Sequence, residues 1–509
     1  MIMPRISHIA IAAVLVVSTL VVGIGKPSRT VAWHDAHFEN VLGTSMEIKL
    51  MAASDYAAES AETAAMNEIK RLNRILSGYD KDSEFSRWAA TQQQCVRVSP
   101  ELMEVLRLWD FWRNDSGGAL NPAAEAVTRV WKQAQADGRM PTDAEMAAAA
   151  HAAGRTQWRL EASAGTATHL SATPLMLNSF TKSYIVDRAA SVALRTPGVS
   201  GVVLNIGGDL AVRGQASDRI DVANPMSDAE NAAPMAVLNI KDKAVATSGN
   251  YRRGFDIGGR HYSHIVDPRT GRTADDIIGA TVVARNAVDA GALATAFCVL
   301  SPQQSSRLAA TVPGSEYLLV AKDGTRFASA GWSSLLVAQA AAPRKATTPA
   351  GTASLWNSAY ELTVNVEIPQ TQGFGARRPY VAVWIEDNYR YPVRTLAVLY
   401  EKARWLNELR AWYRDDRLRA LSEGTEILNS VTSATRSPGK YSFKWDGQDN
   451  SGKLVKAGKY TVMVEAAREH GGYNLVRKEM NFDGEPAEMQ VPADGELGVV
   501  AFDYHKAAH

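Results

Sequence analysis

Cysteine is scarce in this chain, and neither sign of charge is in excess. Cys95 and Cys298 are the only two cysteines in 509 residues. They form no C-x-x-C pair and no metal-ligand spacing, which removes a cysteine-built metal centre and a dithiol redox motif from consideration. Cys298 lies in an apolar run and reads as a core residue; Cys95 lies in a polar stretch, and the sequence leaves a disulfide between them open. Lys and Arg number 55 against 54 Asp and Glu. No basic field therefore exists to hold nucleic acid, no nucleic-acid partner is expected, and any anion site must be local. What is present is a hydrophobic fraction of 46% spread over a length too great for one core, so two or three domains are expected.

The first of these divisions is an address. Arg5 and His8 precede an apolar run from Ile9 to Ile24, closed by Lys26-Pro27-Ser28-Arg29. Residues 1–30 read as a signal peptide or signal anchor of an exported, periplasmic protein, with cleavage and retention as an inner-membrane anchor both open. No A-x-A site precedes Lys26, and no cysteine stands near it to carry a lipid. Farther on, Ala61, Ala65, Ile69, Leu72 and Leu76 recur at helical spacing over 59–76, and Leu102, Val105, Leu106, Trp109 and Trp112 do so over 101–113. A helix is expected from Lys182 to about Leu194, and strands at 202–206, 235–240, 280–284 and 317–321. The region 338–354 turns Ala/Pro/Thr-rich without periodicity, as linkers do. Beyond it, alternating segments at 360–368, 380–385 and 460–466 predict an antiparallel sandwich over 355–509. Asp446, Asp449 and Asn450 beside Gly447 and Gly452 read as a turn rather than a calcium loop.

Chemistry concentrates in Ser263-His264-Ile265-Val266-Asp267-Pro268-Arg269-Thr270-Gly271, preceded by Ala246-Thr247-Ser248-Gly249-Asn250-Tyr251-Arg252-Arg253. Hydroxyls, glycine, three arginines, a histidine and an aspartate between two strand-like runs form a segment that is costly to order without a bound polyanion. Phosphate chemistry is the reading. His264 followed by Asp267 has the elements of an oriented general base. The nine-residue segment resembles the S-H-I-I-D-P-R-T-G signature of the ApbE family, flavin transferases that attach FMN from FAD to other proteins. The likeness runs in order through Leu42-Gly43-Thr44, Leu76-Ser77-Gly78-Tyr79, Ser116 to Pro122, Lys182 to Asp187, Asn205-Ile206-Gly207-Gly208-Asp209 and Ala292 to Thr295, over 34–337.

The resemblance implies an α+β, mixed α/β flavin transferase domain ahead of the immunoglobulin-like β-sandwich, and that sandwich resembles an uncharacterised domain that sometimes trails ApbE domains. It implies FAD as substrate, Mg²⁺, and an acceptor flavoprotein of a membrane or periplasmic redox system whose Ser or Thr receives FMN with release of AMP. Lys182, His264 and Asp267 are the expected catalytic residues. Leu42, Gly43, Thr44, Tyr79, Ala119, Leu120, Asn121, Lys182 and Ile265 would hold the nucleotide, and the Ser179 carbonyl, Asp289 and Thr295 the metal. Three positions depart from the family: Met176, Asn121 and Gly291 stand where it has aspartates. Asp289, near the start of a helix, is the expected replacement for the carboxylate missing at Gly291. FAD hydrolysis and flavin-nucleotide binding without transfer are the alternative activities. Gly279-Ala280-Thr281 partly matches an acceptor sequence, but it follows Ile278 and enters an apolar strand, so it reads as a strand.

Overall fold

A computed structural model describes residues 31–226, 234–249, 254–337, 355–370, 378–400, 406, 408–423, 432–433, 438–468 and 472–507. The expected signal segment 1–30, the expected linker 338–354 and residues 250–253 lie outside them. The described chain opens with a hairpin of β1 (Ala32–Val41) and β2 (Thr44–Ala52), then α1 (Asp55–Leu76), α2 (Glu84–Ala89), β3 (Cys95–Arg97) and α3 (Pro100–Asp115). Next come α4 (Ala124–Ala136), α5 (Asp143–Gly154), β4 (Trp158–Glu161), β5 (Thr166–His169) and α6 (Asn178–Leu194). Strands β6 (Val199–Ile206), β7 (Asp209–Gly214), β8 (Ser217–Val222), β9 (Ala236–Lys241), β10 (Ala244–Gly249), β11 (Gly254–Ile257), β12 (Arg260–Ser263) and β13 (Ile277–Ala284) follow. Then α7 (Ala287–Val299), α8 (Pro302–Ala310), β14 (Glu316–Ala321) and β15 (Arg326–Ala328) complete the first domain with a short 3-10 turn, Trp332–Leu335.

Eight strands form one sheet in the order β1-β2-β6-β7-β10-β13-β14-β15, with every pairing antiparallel. Period-two alternation splits its side chains between two cores. Ile48, Leu50, Val202, Leu204 and Val282 face Ile69, Val186, Leu293 and Phe297 of α1, α6 and α7. Val203, Val212, Val245 and Val283 face the other way, against Leu238, Ile240 and Trp332. A strand covered on both sides reads as an unbroken apolar run, which is why 202–206 was legible. The α1 stripe is the expected one, and Trp109 and Trp112 are fully buried. Thr281 is 3% exposed in mid-sheet and shares a hydrogen bond with Thr247, so it is a strand residue. Cys95 is exposed and Cys298 buried, both as free thiols, and burial pushes the Cys298 thiol up to about 12.

The second domain contains β16 (Tyr360–Ile368), β17 (Tyr380–Glu386), β18 (Pro392–Leu399), α9 (Arg410–Glu423), β19 (Thr432–Ser433) and β20 (Gly439–Trp445). It continues with β21 (Gly458–Ala467), β22 (Tyr473–Phe482), β23 (Ala487–Val491) and β24 (Val500–Lys506). Sheets β20-β16-β24-β23 and β19-β18-β17-β21-β22 enclose Leu362, Val364, Val383, Val462, Trp356, Trp445 and Phe482. This is the β-sandwich. The sequence did not announce α9: its Trp412, with Leu409 just before the helix, packs on Ala382 and Trp384, outside the five-stranded sheet, so β17 is buried at every position. The Asp449 carboxylate accepts from Ser451 N, Ser451 Oγ and Lys453 N, an ordinary acidic turn.

Candidate active site

The first two turns of α6 bring several of the expected residues together. Its helix begins at Asn178, one turn before the expected start, so Lys182 lies in the second turn. Leu177 at the N-cap offers no capping side chain, which hides this start from sequence rules. Lys182 Nζ donates to the Gly207 carbonyl at 2.9 Å and lies 3.3 Å from Asp209 Oδ2. Gly207 has φ +54, and a Cβ there would come within 2.6 Å of Thr44 Cγ2, so only glycine lets this turn close on the β1–β2 hairpin. Leu42 (φ +53) and Gly43 (φ +75) are the two central residues of that hairpin. Leu42-Gly43-Thr44 and Lys182 are thus brought together through Gly207. Burial pushes the Asp209 carboxyl up, against the opposing Lys182 charge and hydrogen bonds from Lys182 and Ser183. Sequence reasoning placed Asn205–Asp209 within the family resemblance and missed Asp209 as the partner of Lys182.

A second group meets the same turns. Tyr79 is 79% exposed, and its hydroxyl accepts from Asn178 Nδ2 at 2.7 Å. Met176 donates its N–H to the Pro122 carbonyl, and its sulfur fills the space a side chain on Gly78 would need. Ala119 and Leu120 are buried in the main core. Asn121 is buried too, donating from Nδ2 to Ala153 O at 3.0 Å and accepting from Ala123 N at 2.9 Å. A carboxylate could not make the first of these bonds, which accounts for asparagine.

The signature itself is a tight turn. Ile265 N donates to Ser263 Oγ, its carbonyl accepts from Ala274 N, and its side chain packs on the main core. Trp131 Nε1 donates to Gly271 O, and Gly271 (φ +76) abuts the Met146 carbonyl. His264 is exposed. Asp267 Oδ1 and Oδ2 accept from Arg269 Nε and Nη2 at 2.8 and 2.9 Å. Arg269 in turn lies over Gly118. Asp267 therefore holds Arg269 and the turn.

The expected metal ligands separate into two places. Thr295 Oγ1 lies 3.5 Å from the Ser179 carbonyl and 3.3 Å from Ser248 Oγ. Asp289 is elsewhere: its N–H donates to Asn286 Oδ1 and its carboxylate accepts from Asn286 Nδ2, a reciprocal cap on α7. Six residues of helix turn Asp289 about 120° away from Thr295 and about 9 Å along the axis, so it does not replace a carboxylate at 291. Burial, with an Asn286 hydrogen bond opposing and Asp187 assisting, pushes the Asp289 carboxyl up. Nor is there room at Gly291, where a Cβ would stand 2.1 Å from Ser183 Oγ. Among the described residues no three His, Cys, Asp or Glu converge on a metal position. A carbonyl and a hydroxyl without a carboxylate are a poor fit for Mg²⁺, which is usually held through one or two carboxylates.

An α+β domain followed by a β-sandwich is the class this structure defines. Residues 42–319 match the model of the ApbE family, and the chain belongs to that family. Residues 361–499 match a second model, described as "Predicted periplasmic protein (DUF2271)". A FAD:protein FMN transferase of Vibrio cholerae is 27% identical over 312 residues, spanning 59% of this chain and 89% of that protein. One from Treponema pallidum is 27% identical over 312 residues, 58% of this chain and 86% of the relative. The crystal structure of an ApbE protein from Thermotoga maritima superposes with a TM-score of 0.54 at 23% identity, covering 60% of this chain and 99% of its own. The flavin transferase ApbE from Vibrio cholerae gives 0.51 at 23%, covering 60% and 100%.

Proposed function

We propose that the protein is an exported FAD:protein FMN transferase. An acceptor Ser or Thr oxygen attacks the phosphorus that carries riboflavin, the bond to the AMP phosphate breaks, AMP leaves with the electron pair, and the hydroxyl proton passes to a base. The observation that carries this reading is the hub at the start of α6, where Lys182 sits beside the Gly207 turn while Asn178 holds Tyr79. Lys182 would meet the diphosphate as a point charge. Tyr79, exposed and tethered at its hydroxyl, would cover a ring of the nucleotide, and the Leu42–Thr44 hairpin would line the same side. Exposed His264 is the proton acceptor in this reading, with Asp267 positioning Arg269 for the anion.

Mg²⁺ was expected with this activity; the Ser179 carbonyl and Thr295 hydroxyl are the donors that remain for it. The acceptor would be a periplasmic or membrane redox flavoprotein, in keeping with the description of the second domain's family. Among the described residues no helix is long and apolar enough to cross a membrane, and the N-terminal anchor proposed from sequence lies outside them. Incubation with FAD and a candidate acceptor tests the reading. AMP together with a fluorescent acceptor band supports transfer, AMP without the band indicates FAD hydrolysis, and neither product indicates a binding module. That last reading is favoured by the neutral side chains at 121, 176 and 291.

A further inference from the structure

The three positions without a carboxylate are each committed to other contacts. Ser183 Oγ fills the Cβ position of Gly291, Met176 fills that of Gly78, and Asn121 is committed to Ala153 and Ala123. An aspartate added at 291 alone would therefore not recreate an ion site while Ser183 Oγ occupies its space. We propose that this protein binds the FAD diphosphate without a carboxylate-held divalent cation, the neutralising charge being the Lys182 ammonium. The proposal rests on FAD being the substrate.

Charge balance supports it. A dication lying between carboxylates and a diphosphate offsets repulsion among those anions as well as binding the ligand. Here the three positions are neutral, so their share of that repulsion is absent along with its remedy. The carboxylate paired with Lys182, Asp209, lies beneath it: the lysine side chain keeps 29% of its surface and the aspartate 12%. The pair therefore presents its cation outward and its anion inward, an orientation suited to an anionic ligand. The Gly207 carbonyl fixes the ammonium from the side.

The test is FAD affinity, read by quenching of flavin fluorescence in the full chain, with EDTA and then with excess Mg²⁺. The two dissociation constants should agree to within about twofold. Loss of about tenfold or more in EDTA overturns the proposal, and no FAD binding under either condition overturns the substrate reading and this one together. Lys182→Met should weaken binding about tenfold or more, by the same factor with and without Mg²⁺. A second variant works in the opposite direction. Ser183→Gly with Gly291→Asp removes the blocking hydroxyl and restores a carboxylate, so its FAD affinity should become dependent on Mg²⁺. If wild type already shows the dependence expected of this double variant, Lys182 is not the neutralising group.

Discussion

In the first domain Lys182 stands at an opening with Asp209 beneath it; in the second, Glu465 has no exposed surface, and its two oxygens accept from Ala411 N and Trp412 N at 2.9 and 2.8 Å. Both carboxyls are pushed up by burial, Asp209 against Lys182 and Glu465 against hydrogen bonds from Trp412, Ala411 and Tyr473. Their surroundings separate them. Glu465 has both oxygens committed to the free N–H groups at the start of α9, so its hydrogen bonds hold a helix on a sheet. Asp209 leaves its partner cation facing outward, where a ligand can complete it. A perturbed carboxyl alone does not mark a site; a partner that faces solvent does.

Breaking the structural half of this comparison should give the largest effect. Glu465→Ala strands two buried N–H groups and should cost about 2–4 kcal/mol, read as a lowered melting temperature with FAD affinity retained. Lys182→Met should do the reverse, weakening FAD by about tenfold or more while lowering the melting temperature by only about 2–4 °C, since the Asp209 carboxyl left without its cation is already pushed up by burial and can take a proton.

Glu47 sharpens the contrast through pH. Burial raises its carboxyl, but the His37 hydrogen bond and the charges of His37 and Lys49 outweigh that and hold it at about 2. A lowered folded value means stability that is present above 4.5 and lost as the pH falls toward 2. Glu47→Gln should therefore cost about 1–2 kcal/mol at neutral pH, with the gap to wild type closing across that window in thermal unfolding. The raised carboxyl of Glu465 has the opposite sign: its contribution to stability falls as the pH rises from 4.5 through its folded value. The smallest effect belongs to Asp289→Asn, about 0.5–1 kcal/mol from a weakened cap, with FAD affinity unchanged. A large loss of FAD affinity in that variant would return Asp289 to the site.

These contrasts also show how far the sequence could be read. Tyr360–Ile368 was legible because its side chains alternate strictly between core and partial exposure. The α1 stripe was legible because one face repeats at helical spacing. The nucleotide segments were legible in order, through their likeness to a family signature. Their mutual geometry was not, since it depends on contacts between elements distant in sequence. Ser183 meets Gly291 across two helices, Asp209 reaches Lys182 from a neighbouring strand, and Arg269 lies over Gly118. Asp289 misled because closeness in sequence to Gly291 was taken for closeness in space, whereas its helical position directs it to Asn286. Helix α9 stayed hidden because its buried side chains meet an outer sheet face rather than the sandwich core.

The most direct test of the account is mass spectrometry of a candidate periplasmic flavoprotein after incubation with this protein and FAD, with AMP measured in the same mixture. The account predicts one FMN on a single Ser or Thr of the acceptor and an equal amount of AMP, both greatly reduced with Lys182→Met. Acceptors that remain unmodified across a panel on which a related transferase is active, with no AMP formed, would contradict it.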